Sequence, residues 1–293
     1  MITVNTKLVN LLGNPVSQSY SYIIHNAAFQ AMGLDAYYYP IETTKEHLGD
    51  IVNGLRYMNT AGFSVTKPFK RDILAYLDAI DDFAAKVGAV NTVVNKEGKF
   101  TGYNTDGDGC VDAIEKASGL KLPDTTVLCL GAGGSASATC STLAYRGVKK
   151  IIVATRKPAK AEAFVENIAH SFPGCQLATC DLHQENVLIQ TAEECQIIMN
   201  HTGVGMIPYL GQTPVSKKIF KPYHFVVDSV YNPGETRFLQ EAREAGCVTQ
   251  NGIGMFLGQG VLQIKHWFHQ EPPLVVMEKA LAEIIAATNV KNR

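Results

Sequence analysis

Two stretches of this chain bring together residue types at spacings that could do chemistry. Val127-Leu128-Cys129-Leu130 runs straight into Gly131-Ala132-Gly133-Gly134-Ser135-Ala136, and Ser137 to Arg146 can continue as a helix. A dinucleotide pyrophosphate needs strand, glycine turn and helix in that order. Gly131 permits the tight turn, and Gly133 lets backbone N–H groups approach the phosphates. The small Ala136 at the third motif position lets helix and strand pack closely. The helix N-terminus adds unpaired N–H groups and a partial positive charge. A glycine-rich loop with no ligand has the same letters; the flanking strand and helix weigh against it. In the NAD form of this turn an acidic residue about 20 residues further on binds the ribose. The second strand here ends at Ala154-Thr155-Arg156-Lys157-Pro158-Ala159-Lys160, with no Asp or Glu. Arg156 and Lys160 offer positive charge and planar donors suited to a 2′-phosphate, although basic loops after strands are common. NADP is therefore expected over NAD.

Further candidates lie nearer the N-terminus. Lys67 and Lys70 flank Pro68 after a short strand, and strand ends in open α/β sheets face ligands. Asp106 follows a hairpin, in Tyr103-Asn104-Thr105-Asp106-Gly107. Taken singly, a lysine there reads as a solvated charge and an Asx-rich stretch as a turn. The eight histidines show no metal-ligand spacing, H-E-x-x-H is absent, and no metal is expected. No G-x-S-x-G elbow suggests a hydrolase.

The elements that must position these residues follow from periodicity. Strands are expected at Lys7 to Leu12, Ala36 to Ile41 and Gly62 to Thr66, with a hairpin from Ala89 to Tyr103 around Asn95 to Lys99. Helices are expected from Ile23 to Gly33, Lys45 to Met58 and Ile73 to Val87, the last broken near Asp81. Beyond a helix at Gly109 to Ser118 come strands at Val127, Lys150, Gln176, Gln196 and Phe225, with helical segments between several of them. Repeated strand–helix units imply a parallel, doubly wound sheet. Gly254 to His269 and the segment after Pro272-Pro273 read as two closing helices returning to the first domain. The fold class expected is thus α/β with two domains. Residues 1–108, completed by 253–293, form an α/β substrate domain, and 109–252 form a Rossmann-type dinucleotide-binding domain.

Charged residues are 18% and the net charge is −1, which gives no electrostatic footprint for nucleic acid or an acidic membrane. No apolar run reaches the roughly 18 residues of a membrane span. The seven cysteines form no C-x-x-C pair, so reduced thiols and a cytoplasmic location are expected. His25 and Trp267 read as packing residues. Gln259 shares a helix face with Gln263 and His266 that composition alone would call solvated.

Taken together, Gly62-Phe63-Ser64-Val65-Thr66-Lys67-Pro68-Phe69-Lys70, Gly88-Ala89-Val90-Asn91-Thr92 and Asn104-Thr105-Asp106-Gly107 resemble three signatures of the shikimate dehydrogenase family, in order and at similar spacing. Gly13-Asn14-Pro15-Val16, Ser19-x-Ser21, the glycine loop, Asn200-His201-Thr202, Asp228 to Pro233 and Asn251 to Met255 with Gln259 extend the resemblance along nearly the whole chain. It implies an NADP-linked alcohol/ketone interconversion on a small cyclic hydroxy acid, with shikimate and 3-dehydroshikimate the leading pair, in a monomer or homodimer. Ser19 and Ser21 would bind the substrate carboxylate. Ser64, Thr66, Asn91 and Gln259 would line the ring pocket. Lys70 and Asp106 would form the catalytic pair. Gly131, Ala132, Gly133, Gly134 and Ser135 would cradle the pyrophosphate, and Thr155, Arg156 and Lys160 the adenosine phosphate. Ser229, Tyr231 and Gly252 would line the nicotinamide and substrate end. The family's usual His-Ser-Lys-Ser-Pro reads Gln18-Ser19-Tyr20-Ser21-Tyr22 here, its Asn before Val-Thr is Ser64, and its Asn-Arg-Thr is Thr155-Arg156-Lys157. These departures leave quinate or another cyclic polyol acid open as substrate, and a nucleotide-binding paralogue without turnover remains an alternative.

Overall fold

A computed structural model of the protein describes residues 2–291. In chain order the elements are β1 (Lys7–Gly13), α1 (Ser21–Ala31), β2 (Ala36–Glu42), α2 (Leu48–Arg56), β3 (Thr60–Val65), β4 (Ala79–Ile80), α3 (Asp82–Val87), β5 (Thr92–Lys96) and β6 (Lys99–Tyr103). Then follow α4 (Asp106–Ser118), β7 (Thr126–Leu130), α5 (Gly134–Tyr145), β8 (Lys150–Thr155), α6 (Pro158–Ser171), β9 (Gln176–Asp181), α7 (Glu185–Glu193), β10 (Ile197–Asn200), β11 (Phe225–Asp228), α8 (Arg237–Glu244), β12 (Val248–Gln250), α9 (Ile253–Phe268) and α10 (Leu274–Lys291). The chain divides into two units, Met1–Thr105 with Gln259–Arg293, and Asp106–Gly258. The crossings fall just before α4 and within α9.

The first unit holds a mixed sheet ordered β2-β1-β3-β5-β6-β4. β1 runs parallel to β2 and β3, while β3, β5 and β6 are antiparallel neighbours. Leu12, Leu48, Val52, Phe63, Phe69 and Phe100 are among the side chains that fill the core on one of its faces. On the chain's return, α10 packs on α1. The region expected as one helix from Ile73 differs: a 3₁₀ turn at Asp72–Tyr76 and the short strand β4 precede α3. Pairing with β6 overrides helical spacing there. Asp78 N–H donates to Phe100 O at 2.9 Å, and its carboxylate accepts from Phe100 N–H at 2.7 Å. The Arg56 guanidinium ties Asp78, Tyr76 O and Gly98 O together and lies over the Phe100 ring. Asp81 then caps α3, and Gly88 ends it in the left-handed conformation.

The second unit holds an all-parallel sheet ordered β12-β11-β10-β7-β8-β9. Counted from β7 within the unit, this is the doubly wound order 3-2-1-4-5-6. Every residue of β7 is buried, as a parallel strand covered on both faces requires. The three-residue β12 closes one edge and carries too little apolar patterning to be read from sequence. Strand order reverses between β7 and β10, so the crevice beyond their C-terminal ends is the switch point where such sheets bind ligands. The helix expected from Gly109 begins three residues earlier, at Asp106. Gly107 lets α4 lie directly on α5, because a Cβ there would overlap Thr142 Oγ1 and the Ala138 carbonyl. Arg146 reinforces that packing by binding Asp108, Asp112 and Glu115 of α4 at 2.5, 2.6 and 2.9 Å. All seven cysteines are free thiols, six of them buried.

Candidate active site

In the second unit the glycine turn continues β7. Gly131 has φ +107°, and its N–H donates to Ala154 O of the neighbouring strand at 2.8 Å. A Cβ at Gly131 would stand 2.9 Å from His201 O. Gly133 occupies the N-cap of α5 and offers no side chain to its first-turn N–H groups. Gly133 and Gly134 are exposed, and a Cβ at either would meet nothing within 4 Å, so the approach to those donors is open. Ala136 is fully buried beneath the turn. These features fit a dinucleotide diphosphate: the helix end supplies donors and partial charge.

At the end of the adjacent β8, Arg156 and Lys160 are exposed and available to an anion. Thr155 is buried, and its hydroxyl donates to Lys157 O at 2.7 Å, so it shapes the turn that presents Arg156. Beyond β10 and β11 a buried network fixes two loops. Asp228 accepts from Asn200 Nδ2 (3.1 Å), Val230 N–H (3.0 Å) and Thr236 Oγ1 (2.6 Å), and burial pushes its carboxyl up to about 6. Ser229 N–H donates to Asn200 O at 3.0 Å, and Gly252 N–H to Val230 O at 2.9 Å. A Cβ at Gly252 would overlap Ser229 O. Tyr231 stacks on Phe256, ring centroids 5.0 Å apart. Ser229, Tyr231 and Gly252 thus follow strand ends on the same edge of the parallel sheet as the glycine turn.

In the first unit, two neighbouring sets of predicted residues are held by β1, β2, β3, β5 and α9. The structure separates the two lysines: Lys67 is exposed, whereas Lys70 is half-buried and its carbonyl accepts from Val90 N–H at 2.8 Å. Asn91 follows at once. Its Oδ1 accepts from Thr105 N–H (2.8 Å) and Thr92 Oγ1 (2.9 Å), and its Nδ2 donates to Thr105 Oγ1 (3.0 Å). Asn91 therefore fixes the residue immediately before Asp106, a task the motif alone did not reveal. Thr66 N–H donates to Leu12 O at 2.9 Å, joining the strand end after β3 to β1. Gln259 and Gln263 are buried, against the solvated face that composition suggests. The reason is spacing: Gln259, Gln263 and Trp267 recur every four residues on the stripe of α9 that meets β5. Gln263 Nε2 donates to Thr92 Oγ1 at 3.2 Å, and Trp267 Nε1 to Val93 O at 2.9 Å.

The serines form the second set. Ser19 Oγ donates to Ser21 Oγ at 3.1 Å, and Ser64 Oγ reaches Asn10 O at 3.4 Å. The Tyr38 hydroxyl makes a short hydrogen bond with Ser64, and Ser21 also interacts with it. Burial, partly offset by these two serines, holds the phenol well above its ordinary range. Tyr38 escaped the sequence reading. The signal was the alternation in Tyr37-Tyr38-Tyr39, where only the middle ring points inward. His25 stacks on Tyr38 at 4.5 Å, its Nδ1 lies 2.7 Å from Ser21 O, and burial lowers it to about 4. The two phenols that stand where the family has lysine and proline have other surroundings: Tyr20 bonds Thr288 of α10 at 3.2 Å, and Tyr22 is exposed.

A 3-2-1-4-5-6 sheet with an open glycine turn in one unit, and in the other a hydroxyl- and amide-rich cluster and a half-buried lysine, are features of the class of two-domain, nicotinamide-dinucleotide-linked oxidoreductases. Comparison with known proteins narrows it. Residues 11–93 match the shikimate dehydrogenase substrate binding domain, 113–215 the shikimate / quinate 5-dehydrogenase domain, and 252–282 the shikimate 5′-dehydrogenase C-terminal domain. The chain is 36% identical to a shikimate dehydrogenase (NADP(+)) of Alkaliphilus oremlandii, over 96% of this chain and 98% of that protein. It is 39% identical to one of Bacillus cereus strain B4264, over 94% and 98%. A crystal structure of shikimate 5-dehydrogenase from Listeria monocytogenes in complex with shikimate and NAD superposes with a TM-score of 0.91 at 40% identity, covering 96% of this chain and 98% of that one. The chain belongs to the shikimate dehydrogenase family.

Proposed function

We propose that the protein is an NADP-dependent oxidoreductase that interconverts 3-dehydroshikimate and shikimate, a step in making the chorismate precursor of aromatic amino acids. The observation that carries this reading is the half-buried Lys70 beside Asn91, in the same unit as the hydroxyls of Ser19, Ser21, Ser64 and Thr66 and the amide of Gln259. That set suits a cyclic acid with several hydroxyls. Ser19 and Ser21 hold its carboxylate; Ser64, Thr66, Asn91 and Gln259 hold its ring oxygens.

The dinucleotide, when bound, supplies or accepts the hydride at the carbonyl carbon. Lys70 does the accompanying proton work. In the reducing direction its ammonium stabilises the charge growing on the ketone oxygen and donates the proton that completes the alcohol. In the oxidising direction its neutral amine takes that proton back. Asp106, the other member of the proposed catalytic pair, accepts from a ring hydroxyl. Gly131 to Ser135 seat the diphosphate, with Ser229, Tyr231 and Gly252 at the nicotinamide end. Arg156 and Lys160 take the 2′-phosphate, and the absence of an acid on that strand end favours NADP. The free thiols support a reducing, cytoplasmic setting. Among the described residues no helix is long and apolar enough to cross a membrane.

Absorbance at 340 nm tests the reading. Purified protein should reduce NADP when given shikimate, and Lys70→Ala should lower kcat by roughly 10²- to 10⁴-fold, the range for loss of a general acid. Absence of turnover with shikimate would defeat the reading. Quinate belongs in the same panel, because Ser64 engages Tyr38 where the family has an amide; turnover of quinate alone would transfer the assignment to that acid.

A further inference from the structure

The roles assigned above leave His201 unused. It follows β10, which neighbours β7 at the sheet's switch point. Its N–H donates to Leu130 O at 2.8 Å, and its carbonyl lies under Gly131. Ring Nδ1 lies 3.2 Å from the hydroxyl of Ser135, in the first turn of α5. Nε2 is buried and has no hydrogen-bond partner among the described residues. Burial lowers the ring to about 4, so it is neutral at neutral pH.

A neutral imidazole carries one N–H, and two arguments put it on Nδ1. First, a buried N–H with no acceptor is rarer in folded proteins than a buried acceptor with no donor, so the unpaired Nε2 is better left as a lone pair. Second, Ser135 has one hydroxyl proton. If it went to Nδ1, none would remain for an anionic oxygen on the glycine turn. If Nδ1–H donates to Oγ, the serine proton is free.

We infer that His201 is a positioning residue for the cofactor's diphosphate: its Nδ1–H donates to Ser135 Oγ and so directs the serine proton to a phosphate oxygen. This rests on the reading that the glycine turn holds a dinucleotide. The alternative role, a ring that merely fills space under Gly131, predicts a different set of outcomes.

Calorimetric titration of the full chain with NADP⁺ and with NAD⁺ separates the two. His201→Leu and Ser135→Ala should each raise the dissociation constant about tenfold, as for a lost hydrogen bond to a charged group. The factor should be the same for both dinucleotides, because both carry the diphosphate. The double variant should be no worse than either single one, and His201→Asn, which keeps a donor, should recover most of the affinity. Imidazole nitrogen-15 shifts should show Nδ1 protonated. Unchanged affinity in His201→Leu, additive losses in the double variant, or an unprotonated Nδ1 would overturn the inference while leaving dinucleotide binding intact. A wild-type chain that binds neither dinucleotide would overturn the underlying reading as well. Should His201→Leu fail to fold, Ser135→Ala and the nitrogen spectrum decide.

Discussion

On the proposed reading, charge rather than shape sets cofactor choice at the end of β8. Arg156 is exposed, and the Thr155 hydroxyl bond to Lys157 O holds the turn that carries it. A guanidinium against a phosphate makes charge-assisted hydrogen bonds worth about 1.5–3 kcal/mol. Arg156→Ala should therefore weaken NADP⁺ binding by roughly ten- to a hundredfold and leave NAD⁺ nearly unchanged, measured by paired titrations. Equal losses for both would move the 2′-phosphate elsewhere. This candidate could be named because sequence alone shows a missing acid and a present base. Tyr38, Gln263 and the positioning task of Asn91 were not legible. Each depends on partners far away in the chain, such as Ser64 for Tyr38 or Thr105 for Asn91. No local spacing encodes such a pairing.

Among the elements, α4 and α5 meet more closely than side chains would allow. A Cβ on Gly107 would run into the α5 backbone at Ala138, and Arg146 draws three acids of α4 toward the end of α5. Gly107→Ala should cost about 1–3 kcal/mol, the penalty for overpacking, and lower Tm by several degrees. Gly174→Ala is the control: a Cβ there meets nothing, so its Tm should hold. Equal Tm values for both variants would mean that the helices have slack. The other elements were readable in proportion to their patterning. β7 and its glycine turn stood out because an unbroken apolar run precedes the punctuation. β4 did not, because two residues cannot show a period, and Arg56 and Asp78 hold that segment from outside. The start of α4 at Asp106 was missed because glycine-rich Asp106-Gly107-Asp108-Gly109 has poor helix propensity, which the packing on α5 overrides.

For the whole molecule, buried titratable groups decide how it meets acid. His25 and His201 are held near 4 by burial, while an unfolded chain binds their protons from about 6.5 downward. Stability is thus lost as pH falls from about 6.5 to about 4, by roughly 3 kcal/mol for each ring. His224, also lowered by burial, acts in the same direction. Asp228 works oppositely. Its raised value near 6 means the folded state holds a proton that the unfolded state has released, adding about 3 kcal/mol as pH falls through the same window. The net expectation is a loss of about 3 kcal/mol or more. Urea midpoints measured between pH 7 and 4.5 should decline, and a flat profile would contradict the burial of the two rings. The class of fold, the parallel, doubly wound character of the second sheet and the family were all readable from sequence, since each rests on motifs or repeated periods. The buried polar groups that set this acid response were not, because burial belongs to the assembled core. The cysteines carry a last consequence of that core. Six thiols are enclosed, and Cys175, half-exposed, is pushed up to about 11. A sulfhydryl reagent therefore finds at most one sluggish target while the chain is folded and seven once it opens, so the protein carries its own label for counting open molecules.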